Sequence, residues 1–188
     1  MKTGITGGIG SGKSYVCQLL EQHGISVYDC DAAAKRLMHQ SVGLRRRLTS
    51  LIGPDTYLPT QASALPQLNK AAVARFLLAS EENAKAIDDI VHPAVFQDFL
   101  DSGMEWVESA ILFESGLCRL VDRVVVVAAP LEVRIGRVMQ RDGISRGKAM
   151  QWIARQWPQD ELCRRADNII INDGNTPLMP QIMELIVK

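Results

Sequence analysis

The chain has no net charge to speak of. Its 188 residues carry 21 Lys+Arg against 21 Asp+Glu, which argues against a nucleic-acid binder held by overall basicity. No run of about 18 apolar residues occurs anywhere, so no helix of membrane-spanning length is expected. The opening Met-Lys-Thr-Gly-Ile-Thr-Gly also lacks an apolar stretch of signal-peptide length. Four cysteines, Cys17, Cys30, Cys118 and Cys163, form no CxxC pair, and they read as reduced thiols rather than a disulfide framework or zinc site. Internal repeats and low-complexity tracts are missing as well. These absences leave a cytoplasmic globular protein, with neither nucleic acid nor membrane as partner. With 47% hydrophobic and 22% charged residues, the chain can bury a core as one compact domain, with room for a small attached lobe.

The hydrophobic pattern alternates between strand and helix. Lys2–Thr6 reads as a short apolar strand, and Lys13–His23 as a helix with Val16, Leu19 and Leu20 on one face and Gly24 as its stop. Ile25–Tyr28 is a second strand, followed by a helix over Ala32–His39 that Asp31 can cap. Residues 41–103 change character. They predict helices over Leu44–Ile52, Asn69–Leu78 and Glu81–Val91 (Ser80 capping the last), and Pro93 opening another. Gly53–Pro66 is expected to be a loop with three prolines, and no strand is expected in this region. The alternation resumes with strands over Trp106–Phe113, Arg123–Ala128 and Asn168–Asn172. Helices follow from Pro130 to about Arg141, over Ser145–Trp157, and over Pro177–Val187. The expected fold is α/β: a doubly wound, parallel, five-stranded sheet, which the GxxxxGKS spelling of Gly7–Ser14 between its first strand and helix makes one of the P-loop NTPase type. The core covers about residues 1–40 and 104–188, interrupted by a helical insertion at about 41–103.

The strongest motif is Gly7-Gly8-Ile9-Gly10-Ser11-Gly12-Lys13-Ser14, a full GxxxxGKS match lying between a strand and a helix. Glycines let successive N–H groups curl inward around phosphate oxygens, and the helix from Lys13 adds the positive end of its dipole. Lys13 is expected on the β- and γ-phosphates of a nucleoside triphosphate, with the Ser14 hydroxyl as a ligand to Mg²⁺. Gly8, Ile9, Gly10, Ser11, Gly12 and Tyr15 complete the expected ATP-binding segment.

Asp29 and Asp31 follow the second strand, and ligands of open α/β sheets collect at strand carboxyl ends. Two readings stay open for them: carboxylates facing the cleft that orient an acceptor hydroxyl, or a helix cap and a solvated charge. Between Arg134 and Arg165 lie eight cationic against three anionic residues, with Arg134, Arg137 and Arg141 on one helical face. They suit either an arginine-rich lid over ATP at about 136–160 or a solvated basic face. Glu114, after Ile111-Leu112-Phe113, is expected at a strand end as a metal-organising carboxylate or a surface charge. His92 is open to local hydrogen bonding, and Trp152, Trp157 and Met150 read as packing. Asn172-Asp173-Gly174 is a turn whose place at a strand end would bring it near the base.

Taken together, these segments resemble the dephospho-CoA kinase family almost end to end. The resemblance rests on Gly4–Ser14, Asp29-Cys30-Asp31, Ile90-Val91-His92-Pro93 and Leu112-Phe113-Glu114-Ser115-Gly116. Later in the chain come Asp122, Arg137, Arg141-Asp142, Gln156, Ala166-Asp167, Asn172 and Gly174. It implies phosphoryl transfer from ATP, with Mg²⁺, to the ribose 3′-hydroxyl of dephospho-CoA, giving CoA and ADP. It further implies a helical acceptor-binding lobe and a mobile lid. Carried onto this chain, Asp31, Lys13 and Arg137 become the catalytic residues, and Arg141 and Asn172 join the ATP side. Asp29, Asp31, His92 and Glu114 become the acceptor side. The chain departs from the family pattern at Cys30 (usually alanine), Asn69-Lys70 (usually Asp-Arg), Ala110-Ile111 (where a proline is frequent) and the loop before Pro66 (short on the usual acidic turn). The alternative acceptor is another small metabolite, as in shikimate-type kinases, or a nucleoside monophosphate. A regulatory NTPase switch is opposed by the lack of an NKxD-like motif.

Overall fold

The computed structural model describes residues 1–59 and 65–187. In chain order the elements are β1 (Thr3–Thr6), α1 (Lys13–Gln22), β2 (Val27–Asp29), α2 (Cys30–Gln40), α3 (Val42–Ile52), β3 (Tyr57–Leu58), β4 (Gln67–Leu68) and α4 (Lys70–Ala79). There follow α5 (Glu81–Ser102), β5 (Trp106–Glu108), β6 (Arg123–Ala128), α6 (Leu131–Asp142), α7 (Arg146–Ala154), α8 (Gln159–Arg164), β7 (Asn168–Ile171) and α9 (Leu178–Val187). The chain divides into two compact units, one of residues 1–29 with 104 onward and one of Cys30–Gly103. Helix α2, grouped with the core when the sequence alone is read, packs within the second unit against α3 and α5. Among the described residues no helix is long and apolar enough to cross a membrane.

The first unit is built on a five-stranded parallel sheet of order β2-β5-β1-β6-β7, the doubly wound P-loop kinase architecture that the alternating pattern predicts. Val124–Val127 of β6 are buried on both faces, as a central parallel strand requires. Ile5, Val125, Val127 and Ile170 share a core with Val16, Cys17 and Leu20 of α1 and with Ile182 and Leu185 of α9. Side chains alternate across a strand, so Gly4 faces the other way, where Leu112 and Val121 press to within 3.1 and 3.2 Å of any Cβ it might carry. One strand is shorter than expected. β5 stops at Glu108, and Ile111-Leu112-Phe113 lie in turns that drop the buried Leu112 onto that face.

The second unit is organised by α5. Ile87, Val91, Val95 and Phe99 recur every four residues and are all buried, and α2, α3 and α4 each pack on this helix. Its start is capped by Ser80, whose hydroxyl accepts from the Asn83 N–H at 3.2 Å. Ser41 and Asn69 cap α3 and α4 in the same way. Pro93 does not open a new helix as expected but sits inside α5. Proline removes one N–H from the ladder, yet the buried stripe continues from Val91 to Val95 across it, and packing outweighs that local cost. The region also contains a strand pair that the sequence did not predict. β3 and β4 pair antiparallel, Tyr57 opposite Leu68 and Leu58 opposite Gln67, and two-residue strands are too short to show alternation. The expected proline loop is therefore partly strand and partly a 3-10 turn over Pro54–Thr56, while its residues 60–64 lie outside those described.

Phe99 has no exposed surface, so Phe99→Ala should cost about 3–5 kcal/mol of stability. Urea denaturation is the check; a shift below 1 kcal/mol would show that α5 is not the organising element of its unit.

Candidate active site

The glycine-rich loop leaves β1 at Thr6 and enters α1 at Lys13. Two of its glycines are dictated by neighbours far along the chain. Gly12 adopts a left-handed φ of 88°, and a Cβ there would strike the Asn172 side chain. At Gly8 a Cβ would strike the Arg134 guanidinium.

The loop is held from outside by its carbonyls. Arg134 Nε donates to Ile9 O at 3.0 Å, and Arg137 Nη1 donates to Gly10 O at 3.3 Å and Ser11 O at 3.2 Å. Asn172 Nδ2 donates to Ser11 O at 2.8 Å, and its Oδ1 accepts from Arg137 Nη2 at 3.2 Å. Gln156 reaches in from the end of α7, its Oε1 accepting from the Ile9 N–H at 2.6 Å. Next to it, Trp157 is stacked between Phe113 (ring centroids 5.9 Å apart) and the Arg165 guanidinium at 4.8 Å. The N–H groups of Gly10, Gly12, Lys13 and Ser14 take no acceptor among the described residues. With its carbonyls engaged outside, the loop presents donors that suit an anion, reinforced by the N-terminus of α1. Burial pushes the Arg134 guanidinium below its ordinary range.

Lys13 pairs with Glu108, and both side chains are only 12% exposed. Ser14 Oγ donates to the same Glu108 Oε1 at 3.2 Å. Strand order explains the meeting. β5 lies between β2 and β1, with Glu108 in register with Ile5 on one side and Asp29 on the other. Glu108 and Asp29 thus stand side by side at strand carboxyl ends, where open α/β sheets collect ligands. Glu108 is not evident from the sequence, where Glu114, six positions later, reads as the strand-end carboxylate. The missed signal was the shortness of Trp106-Val107-Glu108, whose apolar run breaks at Glu108. Beneath this pair, burial and the Glu108 charge push the Cys17 thiol well above its ordinary range, so it stays protonated.

Other expected site residues fall elsewhere. Asp31 does not cap α2; the helix begins directly at Cys30, so Asp31 lies in its first turn, two residues past Asp29. Arg141 is 61% exposed and bonded to its neighbour Asp142, which raises its pKa. Glu114 is an exposed turn residue and Tyr15 is 55% exposed. His92, in α5, stacks on Phe96 and lies 3.6 Å from Asp88. Trp152 packs with Ile9, Ile135 and Val138, whereas Met150, expected in the same packing stripe, is 45% exposed. Among the described residues no three His, Cys, Asp or Glu side chains gather as a metal cage. The Ser14 hydroxyl and Glu108 carboxylate are hard oxygen donors of the kind Mg²⁺ takes when phosphates and water supply its remaining ligands.

Comparison with known proteins shows the family. A family model described as dephospho-CoA kinase matches residues 1–177. A dephospho-CoA kinase of Bacteroides fragilis is 41% identical, over 99% of this chain and 91% of its own length. One from Chlorobaculum tepidum is 36% identical, over 91% and 86%. A solved Thermus thermophilus protein superposes with a TM-score of 0.84 at 31% identity, over 100% of this chain and 96% of that one. On this agreement in sequence and fold along nearly its whole length, the chain belongs to the dephospho-CoA kinase family.

Proposed function

We propose that the chain transfers the γ-phosphoryl group of ATP to the ribose 3′-hydroxyl of dephospho-CoA, giving CoA and ADP. The observation that carries this reading is the phosphate loop with its carbonyls held by Arg134, Arg137 and Asn172 and the N–H groups of Gly10, Gly12, Lys13 and Ser14 left, among the described residues, for an anion. Family membership supplies the acceptor.

In this reading the loop N–H groups and the α1 terminus hold the triphosphate, and Lys13 takes the β- and γ-phosphates. An arriving phosphate competes with Glu108 for the Lys13 ammonium. Ser14 and Glu108 would hold the Mg²⁺ that accompanies ATP, which when bound offsets phosphate charge. Arg137, bonded to Gly10 O and Ser11 O of the loop, is the guanidinium assigned to offset charge spreading over the transferred group. Asp31, with Asp29 before it, orients the acceptor hydroxyl and takes its proton. Phosphoryl transfer is mostly positioning and electrostatics, so orientation by Asp31 matters more than its basicity. The unit Cys30–Gly103 serves as the acceptor lobe, with α6 and α7 as the lid.

The direct test is ADP release from ATP-Mg²⁺ with and without dephospho-CoA, the product identified by mass. Strong stimulation with one added phosphate is expected; no stimulation in protein that binds ATP overturns the assigned acceptor. Lys13→Ala should lower kcat by about 10²–10³, the cost of losing one preorganised donor to developing charge. Asp31→Asn should lower kcat by about 10²–10⁴ while leaving the ATP dissociation constant unchanged; unaltered turnover removes Asp31 from the mechanism. Glu108→Gln should raise the Mg²⁺ concentration needed for half-maximal turnover, and an unchanged Mg²⁺ dependence would assign Glu108 to holding Lys13 alone.

A further inference from the structure

Helix α3 has two faces of opposite character. Leu44 and Leu48 are buried, 4% and 1% exposed, in the core of the helical unit. The other stripe, Val42, Arg45, Arg46, Thr49 and Ser50, follows the i, i+3, i+4, i+7, i+8 spacing of a single helical face. That stripe forms one wall of a groove of about 490 Å³, closed by Tyr57 of β3 and by Pro66.

The lining chemistry is one-sided. Two arginines and the hydroxyl residues Thr49 and Ser50 line the groove, and no Asp or Glu among the described residues does. Arg45 Nε is buried and has no hydrogen-bond partner among the described residues. Neither the Arg45 nor the Arg46 guanidinium forms a hydrogen bond or ion pair among the described residues. Elsewhere in the chain, Arg36 is paired with Asp98, Arg146 with Glu132, and Arg164 and Arg165 with Glu161. A desolvated guanidinium N–H without an acceptor is costly, and an anion relieves that cost. Tyr57 hydroxyl is already committed, donating to Met38 O at 2.8 Å, so the ring offers the groove an apolar surface. Val42 and Pro66 extend that surface. Ligand pockets for small organic molecules run from about 300 to 1,000 Å³, and this one falls in that range.

We propose that this groove is an anion site, binding the phosphate or diphosphate group of a small phosphorylated organic molecule, with Arg45 and Arg46 as its cationic clamp. Arginine forks match phosphate oxygens in bidentate geometry, and Thr49 and Ser50 add neutral donors from the next turn of the same helix. The uncharged part of the ligand lies on Tyr57, Val42 and Pro66. The assignment goes beyond the kinase reading and does not rest on it, since none of these residues belongs to the phosphate loop. The phosphates have two possible sources, the acceptor substrate itself or a separate effector.

The test is calorimetric titration of inorganic pyrophosphate into the full chain carrying Lys13→Ala, which weakens binding at the phosphate loop. The same titration follows with Arg45→Gln and Arg46→Gln added. The added pair should weaken pyrophosphate binding by about tenfold or more, as expected for losing charge-assisted bonds. Equal affinity, in proteins with matching thermal melts, overturns the site. If the glutamine pair fails to fold, Arg45→Lys with Arg46→Lys keeps the charge but loses the fork. Binding weakened by that pair supports the site, and binding unchanged overturns it. Kinase assays then separate the sources. A raised KM for dephospho-CoA with kcat retained assigns the phosphates to the acceptor. An unchanged KM, with pyrophosphate altering turnover only in the chain that keeps both arginines, assigns them to a separate effector.

Discussion

Everything the phosphate loop can do depends on how its peptide planes are turned, and that is set at the carbonyls. Arg134 holds Ile9 O, Arg137 holds Gly10 O and Ser11 O, and Asn172 holds Ser11 O a second time. A carbonyl held outward turns the neighbouring N–H inward, and glycines allow the turn because they have no Cβ to meet Arg134 or Asn172. The loop is thus part of a network running from α6 through β7, with Gln156 adding a fourth tie at Ile9. Because Arg137 bonds both the loop and Asn172, a movement of α6 would act on the loop backbone.

A second constraint is the parallel sheet. Placing β5 between β2 and β1 sets Glu108 beside Asp29 and close enough to Lys13 and Ser14 to touch both. Lys13 is held by the Glu108 carboxylate in a site 12% exposed, where a cation without any partner would be expensive. Burial, with the same carboxylate adding to it, keeps the Cys17 thiol protonated, which makes that cysteine a packing residue and not a nucleophile.

Much of the fold was legible because its signals are local. The helix from Lys13, the valine strand at 123–128 and the caps Ser41, Asn69 and Ser80 are written within a few residues of where they act. The errors came where the local signal was weak or was overridden. Pro93 reads as a helix start, but a buried stripe from Ile87 to Phe99 carries one helix through it. The apolar run Ile111–Phe113 reads as strand but belongs to turns, which moved the strand-end carboxylate from Glu114 to Glu108. Two-residue strands such as β3 and β4 have no period to detect.

The sequence by itself determined the phosphate loop, the α/β alternation with its helical insertion, and the family, because motif spelling and periodicity act over short spans of chain. The tertiary structure alone decided which distant side chains complete the loop. Glu108 meets Lys13 across 95 positions, and Asn172 meets Ser11 across 161. Those meetings follow from strand order and register, which depend on how whole elements pack, and no neighbouring residues encode them.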